Sequence, residues 1–182
     1  MTDTDLLQGI RRGDSRAFER LYRSHKDAVY AFACSLSGRV DEAEDLVHEA
    51  FLGLIRHAES IDPSKSIRGY LFRSVRNRHI DRRRLHASRN RSLEAAADAE
   101  ATSRGPAEST LANERCGLVR RALDALPEGQ GEVVRLRLFG KLDFGTIASE
   151  VKAPLPTVRS RYRAALDRLR SSLRATLGKE TE

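Results

Sequence analysis

Tryptophan is absent from the 182 residues, cysteine occurs twice, and no apolar run approaches the roughly 18 residues a membrane span requires. The start, Met1-Thr2-Asp3-Thr4-Asp5, is acidic where a secretory signal would be basic. The expectation is a cytoplasmic chain without membrane insertion. Cys34 and Cys116 are far apart and form no CxxC pair, so they cannot build a zinc site. A single disulfide is not expected in a cytosolic helical protein, and both cysteines read as small buried side chains. His48-Glu49-Ala50-Phe51-Leu52 begins like a zinc-protease helix, but Leu52 stands where the second histidine would be. No nucleophile is paired with a base. Enzymatic chemistry, metals, cofactors and a small-molecule substrate therefore have no support.

What is present is positive charge, unevenly placed. The net charge is +7 and the pI near 9.9, which suggests a polyanionic partner, most simply nucleic acid. Up to Ser64 the acids outnumber the bases. From Arg73 to Arg91 eight arginines face Asp81 alone. The stretch from Ser92 to Thr110 is rich in Ala, Ser, Thr and Gly, carries Pro106, and has almost nothing to bury. It reads as a flexible linker over residues 91–110, between a first domain at 1–90 and a second at 111–178. A second arginine cluster (159, 161, 163, 168, 170, 174) follows. Two tethered basic surfaces suit a protein that touches one nucleic acid at two places.

Nearly every periodic segment is helical, and no strand-like alternation of useful length occurs. Phe18, Leu21, Tyr22, Val29, Phe32, Ala33 and Leu36 share one 3.6-residue stripe, with Asp14 as the expected N-cap. Leu46, Val47, Ala50, Phe51, Leu54, Ile55 and Ala58 form a second, where Asp41 and Glu44 suggest a capping box. Ile67, Tyr70, Leu71 and Val75 open a third that runs into the arginines. On the second helix Asp45, His48, Glu49 and Leu52 share the outward face. That face is either ordinary solvated surface or an acidic docking surface for a basic partner.

In the second half, Leu111, Leu118, Val119, Ala122, Leu123 and Leu126 suggest a helix stopped by Pro127. Val133, Val134 and Leu138 form another, ending near Gly140. A short helix with Phe144, Ile147, Ala148 and Val151 follows, capped by Asp143. After a break at Lys152-Ala153-Pro154, a longer helix opens near Pro156. Its stripe is Val158, Tyr162, Ala165, Leu166, Leu169 and Leu173. This pattern is a helix-turn-helix, whose second helix enters the major groove. Arg159, Ser160 and Arg163 project from its first turns, where arginine can grip guanine bidentately. Arg168, Arg170 and Arg174 suit backbone contacts or solvent. The fold class is all-α, with two small helical domains.

These residues carry a family resemblance. Asp41-Glu-Ala-Glu-Asp-Leu-Val-His-Glu-Ala-Phe-Leu52 resembles the "DAEDLVQETFL" segment of extracytoplasmic-function (ECF) sigma factors of the bacterial sigma-70 family. Arg68-Gly-Tyr-Leu-Phe-Arg-Ser-Val-Arg-Asn-Arg-His-Ile-Asp81 resembles their "WLYRIARNLAID" helix. Leu123 to Pro127, Glu132 to Phe139 and Pro156 to Arg161 resemble "ALPERQREVLRLRLF" and "GTVKSR". The matches lie in order and cover nearly everything except the linker.

The resemblance implies a non-enzymatic initiation factor that binds core RNA polymerase and directs promoter recognition and melting. Asp45, His48, Glu49 and Leu52 would meet the clamp of the beta-prime subunit, with the beta subunit a further partner. Ser60, Asp62, Ser64 and Lys65 lie in the loop that receives a flipped minus-ten base, and Tyr70, Arg73, Arg76 and Asn77 on the helix that meets the melted strand. Thr157, Arg159, Ser160, Arg161 and Arg163 would read the minus-thirty-five element, and an anti-sigma factor is a candidate partner. Several positions depart from the family pattern. His48 replaces glutamine, Tyr70 and Ile55 stand where tryptophan is common, and Ser74 replaces an apolar residue. Gly145 and Thr146 replace an acidic pair, and Ala164 a base-reading arginine. The rival reading is a stand-alone helix-turn-helix regulator, which leaves the first 90 residues without a role.

Overall fold

Thr2 opens the chain with a reciprocal cap. Its hydroxyl accepts from the Asp5 amide, while the Asp5 carboxylate accepts from the Thr2 amide at 2.7 Å. Helix α1 (Asp3–Arg11) starts there, a helix that the apolar periodicity did not signal. The computed structural model describes residues 2–63, 65–94, 111–127 and 129–177. Asp14 caps α2 (Ser15–Ser37) through the Arg16 amide, as the sequence suggests. The expected capping box of the next helix does not form. α3 (Val40–Arg56) begins after Arg39, whose guanidinium offers no acceptor to cap it and instead pairs with Asp41 at 2.8 Å. A single 3-10 turn (Ala58–Ser60) leads to α4 (Ile67–Glu94), and Arg11 of α1 ties that turn down through the carbonyls of Ala58 and Ile61. Because α4 continues to Glu94, residues 91–94 are helix rather than linker. The rest of the expected linker, 95–110, lies outside the described residues.

The first lobe packs α1 to α4 around Leu7, Leu21, Phe32, Leu46, Leu54, Leu71 and Phe72, all essentially without solvent contact. The rings of Phe32 and Phe72 meet at 4.8 Å. Each such side chain contributes about 1.5–3 kcal/mol on burial.

The second lobe contains α5 (Leu111–Asp124), α6 (Gln130–Leu138), α7 (Phe144–Val151) and α8 (Leu155–Leu177). Asp143 caps α7 by accepting from the Thr146 amide, and with the Thr146 hydroxyl this holds its carboxyl below the usual aspartate range. Lys152 takes the left-handed conformation at the end of α7 (φ 51°), giving the sharp break before α8. The Phe144 and Tyr162 rings lock α7 to α8 edge to face at 5.3 Å. Val158 and Ala165 are buried and Tyr162, Leu166 and Leu169 half-buried; the Leu173 side chain lies outside the description. All the described regular structure is helical.

Two expectations fail where the lobes meet. The lobes share one continuous core, and α5 lies along α2. The stripe expected on α5 is misplaced. Leu111 is 73% exposed and Leu118 59%, whereas Cys116 and Leu123 are buried. α5 is oriented by its partners: Cys116 and Arg120 meet the end of α2, Leu123 packs with Leu126, Val134 and Ala165 of the second lobe, and Leu111, Leu118 and Val119 turn outward. The cysteines are likewise not separate thiols. Cys34 and Cys116 form a disulfide, because the fold brings their Cα atoms to 4.9 Å.

Leu123→Ala should therefore cost about 2–5 kcal/mol in urea unfolding, and Leu118→Ala no more than about 0.5 kcal/mol. Equal losses would restore the stripe that periodicity suggests. Between α3 and α4, Glu42 meets the buried His79 at 3.3 Å. That contact, with the charges of Arg82 and Arg120, holds the Glu42 carboxyl below its ordinary value of 4.5. A lowered carboxylate stabilises the fold above its unfolded pKa, and the contribution is lost as pH falls through the lower folded value. Wild type should thus lose stability faster than Glu42→Gln as pH drops below about 4.5, measured by denaturant midpoints across pH. Parallel curves would remove Glu42 from the acid response.

Candidate docking and nucleic-acid interface

The outward side of α3 is the first candidate surface. Asp45, His48 and Leu52 are exposed on it. Glu49, expected beside them, is instead half-buried, and its carboxylate accepts from Arg78 and Arg82 at 3.0 Å each. Arg82 also reaches toward Asp45, at 3.6 Å. The basic stretch of α4 thus partly neutralises the acids of α3 within the chain. Beside this face, α2 and α3 enclose an open apolar groove of roughly 610 Å³, lined by Phe18, Tyr22, Val47, Phe51, Leu52 and Ile55 among others. Sequence reasoning placed Tyr22 and Ile55 in the core, yet they are 36% and 44% exposed. The missed signal is the width of the apolar stripes: each is broader than one neighbouring helix covers, so a strip of each stays at the surface.

The second candidate surface is on α4 and the loop before it. Ser60, Asp62 and Lys65 are exposed there, and Ser64 lies outside the described residues. Tyr70 is half-buried, with part of its ring packed on the core, and burial pushes its phenol up from the ordinary value. Asn77 is exposed. Arg73 and Arg76 are engaged across the lobe boundary: Arg73 grips Glu150 of α7 through Nε at 2.8 Å, and Arg76 pairs with Glu132 of α6. One turn earlier, Arg68 donates to the backbone carbonyls of Phe139 and Gly140. Three arginines of α4 are therefore spent on the second lobe. Nothing in the sequence pairs Glu132 with Arg76 or Glu150 with Arg73, since each pairing needs the docked arrangement.

The third surface is the start of α8. Arg159, Ser160 and Arg163 are exposed together around a shallow depression that also includes Leu155, Pro156, Ala164 and Asp167. Thr157 is half-buried at its edge. Arg161 departs from the group: its guanidinium folds over Gly129 in the turn before α6. Further along, Arg168 donates to the Gln130 side chain at 2.6 Å, and Arg170 stands 3.9 Å from Asp167. The Arg174 side chain lies outside the description.

Comparison with known proteins agrees with this layout. Residues 21–89 match the Sigma-70 region 2 family and residues 122–171 the Sigma-70 region 4 family, together well over half of the chain. The chain is 24% identical over 162 residues to the ECF RNA polymerase sigma factor SigW of Bacillus subtilis, covering 84% of this chain and 87% of that one. The fold is shared with a structure of CnrH in complex with the cytosolic domain of CnrY (TM-score 0.70, 22% identity, 95% of this chain and 97% of that one). It is also shared with the sigma factor RpoE of Bartonella quintana in complex with the anti-sigma factor NepR (TM-score 0.65, 24% identity, 86% and 96%). A stand-alone helix-turn-helix regulator would match the second of these family regions and not the first. Among the described residues no helix is long and apolar enough to cross a membrane. With both regions present in order and the match running nearly end to end, the chain belongs to the ECF sigma factors of the sigma-70 family, which direct RNA polymerase in transcription initiation.

Proposed function

We propose that three surfaces divide the work of this sigma factor: α3 docks on the beta-prime clamp, α4 with its preceding loop meets the minus-ten element, and α8 reads the minus-thirty-five element. The observation that carries this reading is the start of α8, where exposed Arg159, Ser160 and Arg163 follow a tight left-handed turn. Such an arrangement fits a reading helix in the major groove. On α3, the exposed Asp45 and His48 flank a groove whose apolar floor suits a helix carrying basic and aliphatic side chains. The same groove is the natural seat for an anti-sigma factor, which would compete with polymerase for it. The two lobes must part before α4 can act, because Arg73 and Arg76 are held by Glu150 and Glu132. Parting the lobes also uncovers the apolar side chains they share, so polymerase binding must supply the energy to open both the ion pairs and that contact.

Run-off transcription with purified core polymerase tests the whole reading. Asp45→Lys with Leu52→Asp should abolish co-purification with core enzyme while circular dichroism stays unchanged. Glu49→Lys is a poorer probe, since it also breaks the pairs with Arg78 and Arg82. Arg159→Ala and Arg163→Ala should each cost about 1–3 kcal/mol on the cognate upstream element and relax preference at particular bases. Arg161→Ala should lower stability and leave base preference alone; the reverse pattern would mean that α8 faces DNA differently.

Tyr70→Ala and Asn77→Ala should bind polymerase and closed promoter normally but fail to open it. Unstacking costs a few kcal/mol per step, and an aromatic returns about 1–3 kcal/mol per base. Without tryptophan, and with the Tyr70 ring partly taken up by the core, that return is small here. A pre-melted template should therefore rescue Tyr70→Ala and Asn77→Ala but not the docking variant. Equal rescue of both classes would remove the division of labour.

A further inference from the structure

The docked lobes are joined by more than ion pairs. Cys34 lies in the last turn of α2 and Cys116 in the first half of α5; each belongs to a different lobe, and each is only 6% exposed. The disulfide between them spans 82 positions of sequence and is the one covalent tie between the lobes, other than the chain itself, among the described residues. We infer that the Cys34–Cys116 bond is a peroxide-formed modification that locks the factor shut and withholds α4 from the promoter. This rests on the reading of α4 as the minus-ten surface.

Three observations carry the inference. First, the backbone at the junction is built for close approach. Gly38 ends α2 in the left-handed conformation (φ 74°), and a Cβ there would stand 2.6 Å from the Arg120 side chain. Arg120 also donates to the Ser37 carbonyl at 2.6 Å and Arg135 to the Ser35 carbonyl at 3.1 Å. These contacts place the two cysteines together before any bond forms, so oxidation needs no rearrangement. Second, the locked arrangement engages Arg73 and Arg76, two of the residues assigned to the minus-ten surface, through Glu150 and Glu132 of the second lobe. Third, a protein that works on RNA polymerase works in a reducing compartment, where disulfides are mostly transient or sensing rather than structural.

The chemistry balances with a hydroperoxide as oxidant. The thiolate of one cysteine attacks the peroxide oxygen, the O–O bond breaks, and a sulfenic acid and one water result. The second thiol then attacks that sulfur, the S–O bond breaks, and a second water leaves as the S–S bond forms. Two thiols and one hydrogen peroxide thus give one disulfide and two waters, with two electrons passing from sulfur to oxygen. A dithiol reverses the reaction by exchange. The noncovalent latch yields to polymerase; the covalent one does not.

The test uses the full chain, treated with hydrogen peroxide or dithiothreitol and cleared of either reagent before reduced core polymerase is added. Peroxide should give a faster-migrating monomer on a non-reducing gel, with two hydrogens lost from the intact mass. Run-off transcription should fall to background and return after dithiothreitol. Cys34→Ser, Cys116→Ser and the double variant should stay active in both conditions. Full transcription by the cross-linked protein would overturn the switch while leaving the sigma reading intact. So would cross-links only between molecules, or equal peroxide sensitivity in the serine variants. No transcription even from the reduced wild type would overturn the promoter reading, and the switch with it.

Discussion

The seating of α5 on the end of α2 is the contact on which the rest of the arrangement depends. It fixes the rotation of α5, and through α5 the position of α6 and α7, whose Glu132 and Glu150 then fall beside Arg76 and Arg73. Gly38 permits the approach and Arg120 and Arg135 hold it through carbonyl oxygens at the end of α2, which have no partner in the next helical turn. If the seating were undone, the arginines of α4 and the face of α5 carrying Cys116 and Arg120 would be released together. One junction thus governs both the exposure of the basic helix and the meeting of the cysteines.

Electrostatics in this chain work largely by internal pairing. A net charge of +7 suggests open basic surfaces, but Arg73, Arg76, Arg78 and Arg82 of α4 are distributed among Glu150, Glu132 and Glu49. The start of α8 is the contrasting case, with Arg159, Ser160 and Arg163 exposed together. A single molecule therefore presents one helix ready to read duplex DNA and another whose charges must first be freed. That asymmetry suits an initiation factor, for which contact with DNA should depend on contact with polymerase.

The departures from the family pattern acquire physical content in the fold. Tyr70, standing where tryptophan is common, gives part of its ring to the core, so less aromatic surface is left for bases. Gly145 and Thr146 replace an acidic pair at the start of α7, yet the helix is capped well because Asp143 and Thr146 hydrogen-bond each other. Ile55, also at a tryptophan position, remains exposed at the rim of the α2–α3 groove.

The sequence by itself determined the order of the helices from α2 onward. Apolar periodicity, the caps at Asp14 and Asp143 and the break before Pro156 are local features, and local hydrogen bonding and sterics suffice to set them. It also determined the family, because the motifs are contiguous runs. It missed α1, whose start rests on a Thr2–Asp5 cap rather than on periodicity, and it put the end of α4 too early. Tertiary structure alone decided which face of α5 is buried, that Glu49 is shared with Arg78 and Arg82, and that Arg161 covers Gly129 instead of joining Arg159 and Arg163. Only the docked lobes bring Cys34 to Cys116, and Arg73 and Arg76 to their glutamates. Each of these pairings joins residues from different helices, and a helical pattern specifies which side chains share a face but not which neighbour that face will meet.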